Sequence, residues 1–415
     1  TSSKYSSDNI RHITFRDSYG SADGAYYYQQ RWNASERDEA PTVAELLSKV
    51  KSDEEFRAKL FSMLKIDDML DKSIILLSSG ELRKFQMAKM LLDKPRVVVV
   101  ESPYIGLDVA AREVLNELFE SLTKQGDVQI IISVCASKDI PNFITHVYKV
   151  ENMICSAKMY RDEFVSLSLG VEREPYSVEL PATCAGEYDF EQVVQFNNLG
   201  ISYGTKTVLE GINWTINKGE RWSLMGPNGS GKSTLLSLIA ADNPMAYAKD
   251  ITLFGRKRGT GESIWDIKKR IGYLCPEMHR SYVVDIAAVD IVASGFVDSI
   301  GLYFTPSEQQ RQQCLEWMRV CGVEHLSSRS FVKLSSGEQR LLLLLRAFVK
   351  DPELLILDEP LHGLDEVNKL RARTIIEAFC ARKDKTMIYV THYKGEMPSC
   401  VTLHKSLRDN YSLED

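Results

Sequence analysis

The 415-residue chain has no long apolar stretch, and its run Leu341 to Leu345 meets Arg346 at once. A helix that crosses a bilayer needs about 18 consecutive apolar residues, so no membrane segment is expected. Its eight cysteines never fall in a CxxC pair. That excludes the common zinc spacings and reads as reduced thiols, not a disulfide framework. Basic residues are not in excess either: 51 Lys and Arg stand against 57 Asp and Glu, for a net charge of −6. Nucleic acid, which rewards a surplus of cations, is not an expected partner. The start, Thr1 to Asn9, is polar and has neither an initiator Met nor the basic-then-apolar order of a secretory leader. A cytoplasmic chain trimmed at its start is the expectation. The 44% hydrophobic and 26% charged residues are ordinary for a packed globular chain.

What the sequence does contain is an internal repeat. Leu77-Ser78-Ser79-Gly80-Glu81 returns as Leu334-Ser335-Ser336-Gly337-Glu338, an offset of 334 − 77 = 257. Pro95, Pro103, Gly106-Leu107-Asp108 and Pro141 find Pro352, Pro360, Gly363-Leu364-Asp365 and Pro398 at the same offset. One ungapped register over so many turn residues indicates a duplicated domain. Leu167 to Glu191, with Gly170, Pro175, Pro181 and Gly186, reads as a linker between a first domain (1–166) and a second (192–415).

In the second copy, Trp222 to Met225 is a short apolar strand that runs into Gly226-Pro227-Asn228-Gly229-Ser230-Gly231-Lys232-Ser233-Thr234. A helix is expected over Leu235 to Ala241. This is G-x-x-x-x-G-K-[ST] in its strand–loop–helix setting, the P-loop that cradles nucleotide phosphates on backbone N–H groups at a helix N-terminus. Lys232 is expected on the β- and γ-phosphates, and Ser233 on Mg²⁺. Leu354 to Leu357 is a wholly apolar strand, as in a parallel sheet buried on both faces, and it ends in Asp358-Glu359. Asp358 is expected to hold Mg²⁺ through water, and Glu359 to act as general base. The strand Met387 to Val390 leads to Thr391-His392, placing His392 33 residues after Glu359 as a candidate γ-phosphate contact.

These residues resemble the ATP-binding cassette (ABC) ATPases, whose signature (usually Leu-Ser-Gly-Gly-Gln) sits where Leu334 to Glu338 stands. Both copies depart from it identically, with Ser336 and Ser79 for Gly and Glu338 and Glu81 for Gln. The resemblance implies an α/β fold of two tandem P-loop cassettes. Each would have a mainly parallel sheet and an inserted helical subdomain, near 40–78 and 283–335. It matches Tyr203 to the adenine-stacking aromatic. It also implies that the two cassettes of one chain pair head to tail, so that Ser78, Ser79 and Gly80 close on the nucleotide held by Lys232. In Ile271 to Glu277 the family's Gln is absent. Glu277 either assists Mg²⁺ or the contact is lost.

The first copy is partial. No GKS or GKT occurs in residues 1–75, Glu101 and Ser102 replace the Asp and Glu, and Cys135 stands at the position of His392. Glu101 retains a metal-binding carboxylate, but Ser102 is no base at neutral pH. One hydrolytic and one degenerate site are expected. Leu253 to Tyr273, His12-Ile13-Thr14 and Tyr26 to Trp32 are similar to tandem ModF-type ATP-binding proteins, linked with molybdenum transport or photorepair. That likeness implies an energy-coupling ATPase for a molybdate-type oxyanion, docked on separate membrane permease subunits at the inner face. The alternative is a soluble ABC ATPase acting on an assembly such as the ribosome, against which the short linker with few Lys or Arg counts. The basic runs Arg256 to Arg258 and Lys268 to Arg270 read as solvated charge.

Overall fold

The computed structural model describes residues 9–14, 41–74, 77, 79–104, 107, 109–124, 128–151, 153–168, 178–182, 190–203, 206–227, 229–282, 284–407 and 413–414. They form two compact units, one up to residue 168 and the other from residue 178.

The second unit is built on a six-stranded sheet. Its order is Ile271–Leu274, Leu354–Asp358, Thr386–Val390, Arg221–Met225, Leu403–Leu407 and Leu413–Glu414, and all pairings but the last are parallel. Leu354, Leu355, Ile356, Leu357, Met387, Ile388, Tyr389 and Val390 are completely buried, which explains why these strands carry no polar alternation. A four-stranded antiparallel sheet holds Gln192–Tyr203 and Lys206–Asn217. The inserted helices include Ala288–Ala293 and Glu308–Val320. They lead to the long helix Ser336–Phe348.

The first unit repeats half of this plan. Ile10–Thr14, Val97–Glu101 and Gln129–Ser133 form a three-stranded parallel sheet. Helices Val43–Ser48 and Glu54–Leu64 precede the helix Ser79–Leu91. Ile10 faces Val97 as Ile271 faces Leu354, so these strands are counterparts of 271–274, 354–358 and 386–390. Gln129–Ser133 is an edge strand among the described residues, and Ile131 is 48% exposed where Ile388 is buried. The duplication extends to backbone detail. Ser102 and Glu359 both adopt left-handed φ, 52° and 50°, and donate N–H to Ser133 O and Val390 O, each at 2.9 Å. Lys94 and Asp351 match in the same way, with φ of 49° and 52°.

Two expectations need correction. Arg258 is not solvated: it is buried in an ion pair with Glu262 at 2.7 Å, its guanidinium over Tyr247, because the 256–262 turn folds back on itself. Lys268 is likewise mostly buried and pairs with Asp242 at 2.6 Å.

Candidate nucleotide site

Parallel pairing brings the motifs to one edge. Leu224 and Asp358 are both registered on Val390, so the strands entering the P-loop and bearing Asp358 flank the strand that leads to His392. Ligands of open parallel sheets bind at this C-terminal edge. Two strand spacings put about 10 Å between the P-loop and the carboxylates, a span suited to a triphosphate.

Gly226 has φ 151°, and a Cβ there would lie 2.6 Å from Leu407 O and 2.7 Å from Ser230 Oγ. Gly231, at φ 96°, N-caps the helix Lys232–Ile239, and a Cβ would meet Leu209 at 2.8 Å. Only glycine suits either position. Lys232 is buried, and its Nζ donates to Gly226 O at 2.7 Å and Pro227 O at 2.8 Å, inside the curl of the loop. Ser230 Oγ is buried with no partner among the described residues, an unmet polar atom of the kind an anion in the cradle would satisfy. Gly229 is at φ 83°, Ser233 is half-buried and Thr234 is buried. Asn228 and Ser78 lie outside the described residues, as do the side chains at 79, 80 and 277. Ser79 opens the helix Ser79–Leu91, with Gly80 next.

Asp358 is 7% exposed. A serine hydroxyl and a carboxylate make a hard-oxygen donor set, which suits Mg²⁺. Glu359, one residue on, is held at both oxygens. His392 Nε2 lies 3.1 Å from Oε1, and His362 Nδ1 lies 3.0 Å from Oε2. Burial alone would raise this carboxyl's pKa, but the hydrogen bonds and charges of the two imidazoles outweigh it and hold Glu359 well below the usual range. An ionised carboxylate only accepts, so both rings present N–H to it. His392 is thus placed on the carboxylate. His362 had not been singled out from sequence; the available signal was its place three residues after Glu359. Tyr203 is half-buried against the core and its hydroxyl accepts from Asn243 Nδ2 at 3.1 Å, just beyond the P-loop helix.

Ser335 N-caps the helix Ser336–Phe348 in a reciprocal capping box with Glu338, whose carboxylate accepts from Ser335 N at 2.8 Å and Ser335 Oγ at 2.7 Å. Glu in place of the family's Gln is therefore a capping residue. The segment after Leu274 forms the helix Pro276–Ser281, and His279 Nε2 lies 2.7 Å from Gln339 Oε1.

Among known proteins, the ABC transporter family profile matches residues 209–362. The ABC transporter ATP-binding protein ModF of Escherichia coli is 34% identical over 88% of this chain and 77% of its own length. An uncharacterized ABC transporter ATP-binding protein of Schizosaccharomyces pombe is 29% identical over 91% of this chain and 78% of its own. A solved structure of ribosome-bound archaeal Pelota and ABCE1 aligns with TM-score 0.60 at 19% identity, covering 96% of this chain and 62% of that one, a likeness of fold. No helix among the described residues is long and apolar enough to cross a membrane. With the P-loop, the Asp358-Glu359 pair and the duplicated plan on one scaffold, the chain belongs to the ATP-binding cassette family of ATP-hydrolysing proteins.

Proposed function

We propose that the chain hydrolyses MgATP at one composite site, made by the second cassette's P-loop and the first cassette's Ser78-Ser79-Gly80, and uses the energy on a separate partner. The observation that carries the reading is the convergence of Lys232, Asp358, Glu359 and His392 on one sheet edge. Backbone N–H groups of Gly229 to Lys232 and the Lys232 ammonium hold the phosphates, and Tyr203 stacks on adenine. Ser233 and Asp358 would hold Mg²⁺, which would neutralise charge on the phosphates. His392 turns its N–H to the γ-phosphate, which frees Glu359 Oε1 to take a proton from the attacking water. The first cassette has Ser102 and Cys135 at the corresponding positions and contributes no base. Steady-state ATPase assays of the full chain should show Lys232→Ala and Glu359→Gln lowering kcat by about 100-fold or more. Ser78→Arg should abolish turnover while sparing nucleotide binding; full activity there would end the composite-site reading.

The partner we favour is a membrane permease at the inner face, with a molybdate-type oxyanion as cargo, because ModF is named a transporter ATP-binding protein. The helix at Pro276–Ser281, which ties His279 to Gln339 in place of a Gln-bearing loop, favours a second reading: a non-transport ATPase on an assembly such as the ribosome. Affinity capture with Glu359→Gln from membrane and ribosome fractions separates them; recovery from ribosomes alone overturns transport.

A further inference from the structure

Glu359, His362 and His392 are lost together. At the 257-residue offset they become Ser102, Ile105 and Cys135, whereas Pro360, Gly363, Leu364 and Asp365 keep their counterparts Pro103, Gly106, Leu107 and Asp108. A residue that served only the turn would be expected to persist with the turn. His362 instead disappears with the base and the histidine beside it.

Geometry agrees. The left-handed φ of 50° at Glu359 reverses the chain, and His362 N donates to Glu359 O at 3.3 Å. That turn folds the His362 ring back so that Nδ1 sits 3.0 Å from Oε2, the carboxylate oxygen that His392 does not take. The imidazole is mostly buried, at 13% side-chain exposure, with its ring edge-on to Tyr393 at 6.3 Å. Its carbonyl accepts from the Arg340 guanidinium, which projects from the helix Ser336–Phe348. Both ends of His362 are therefore fixed, one by the helix that Ser335 caps and the other on the carboxylate.

We infer that His362 is a positioning residue for the Glu359 carboxylate, holding Oε2 while Oε1 is released to the attacking water. This rests on Glu359 being the general base. A carboxylate held at one oxygen keeps its remaining lone pair aimed, and a base misplaced by about 1 Å costs about 100-fold in rate. Arg340 extends the hold to the helix Ser336–Phe348.

The test compares His362→Ala, His362→Leu and His362→Asn in the full chain, by steady-state ATPase and by fluorescence titration with a MANT-labelled ATP. Asn keeps an N–H donor near the Nδ1 position, and Leu keeps bulk without one. The expected result is kcat down about 10- to 100-fold in Ala and Leu, with KM and nucleotide affinity within about threefold, and recovery to within about threefold of the parent in Asn. Should Ala fail to fold, the Asn–Leu contrast alone decides. Equal kcat in Asn and Leu, or a loss of affinity that parallels the loss of rate, overturns the inference. Glu359→Gln, run alongside, reports on the base: if it retains activity, the assignment of Glu359 fails instead, whatever the His362 variants do.

Discussion

Lys232, Asp358 and Glu359 were singled out because each belongs to a motif local in the chain, and His392 because it follows an apolar strand 33 residues after Glu359; the structure brings all four to one sheet edge. His362 was not, since its partnership with Glu359 depends on a left-handed turn that no apolar pattern encodes. Buried charges far from the site were equally silent. Glu353 is 7% exposed at the start of its strand, with Arg270 Nη1 3.6 Å away. Burial pushes its carboxyl up to about 7, against the opposing pull of Arg270, Lys385 and Lys218. A folded pKa above the unfolded value means that stability present below 4.5 is lost as pH rises to about 7, and the loss levels off above that. Glu353→Gln should therefore raise Tm at pH 8 and leave it unchanged at pH 4, as thermal melts at both pH values would show. A lower Tm at pH 8 would mean that Arg270 already compensates the charge.

Among the elements, the buried strands were readable from unbroken apolar runs, and their observed bounds differ from the expected ones by a residue or two, as helix and strand ends commonly do. Helix contacts were not readable. A Cβ on Gly272 would come within 2.2 Å of Ala347 O and 2.7 Å of Pro352, so the strand Ile271–Leu274 lies directly on the backbone of the helix Ser336–Phe348. Gly272→Ala should cost about 2 kcal/mol or more by forcing the two apart, measured by denaturant titration. The capping box at the other end of that helix sets a smaller figure. Ser335→Ala should cost about 1 kcal/mol, and Glu338→Gln, which retains a capping oxygen, much less. If Ser335→Ala proved neutral, Glu at this position would need another explanation. The basic runs illustrate the opposite limit: composition cannot tell Arg258, sealed against Glu262 and Tyr247, from an exposed Lys257 beside it.

For the whole molecule, the 257-residue repeat was the most informative signal, because it predicted two units before any element was placed. It did not foretell how unequal they are. The second unit surrounds its central strands completely, and the first leaves Ile131 half-exposed on an edge. The first unit should melt earlier, giving two calorimetric transitions. Phe119→Ala, which empties a fully buried site in the first unit, should lower only the earlier one by roughly 10 °C. Phe379→Ala should lower only the later one. A single transition that both variants shift would show that the halves unfold together. The matched turns at Ser102 and Glu359 bear on how unusual dihedrals are interpreted. Such angles are often taken as energy stored for catalysis. Here the same angle, fastened by the same N–H to a neighbouring strand, survives where the acid has become an alcohol. The contortion is thus architecture inherited by both siblings, and the carboxylate is a tenant that one of them lacks.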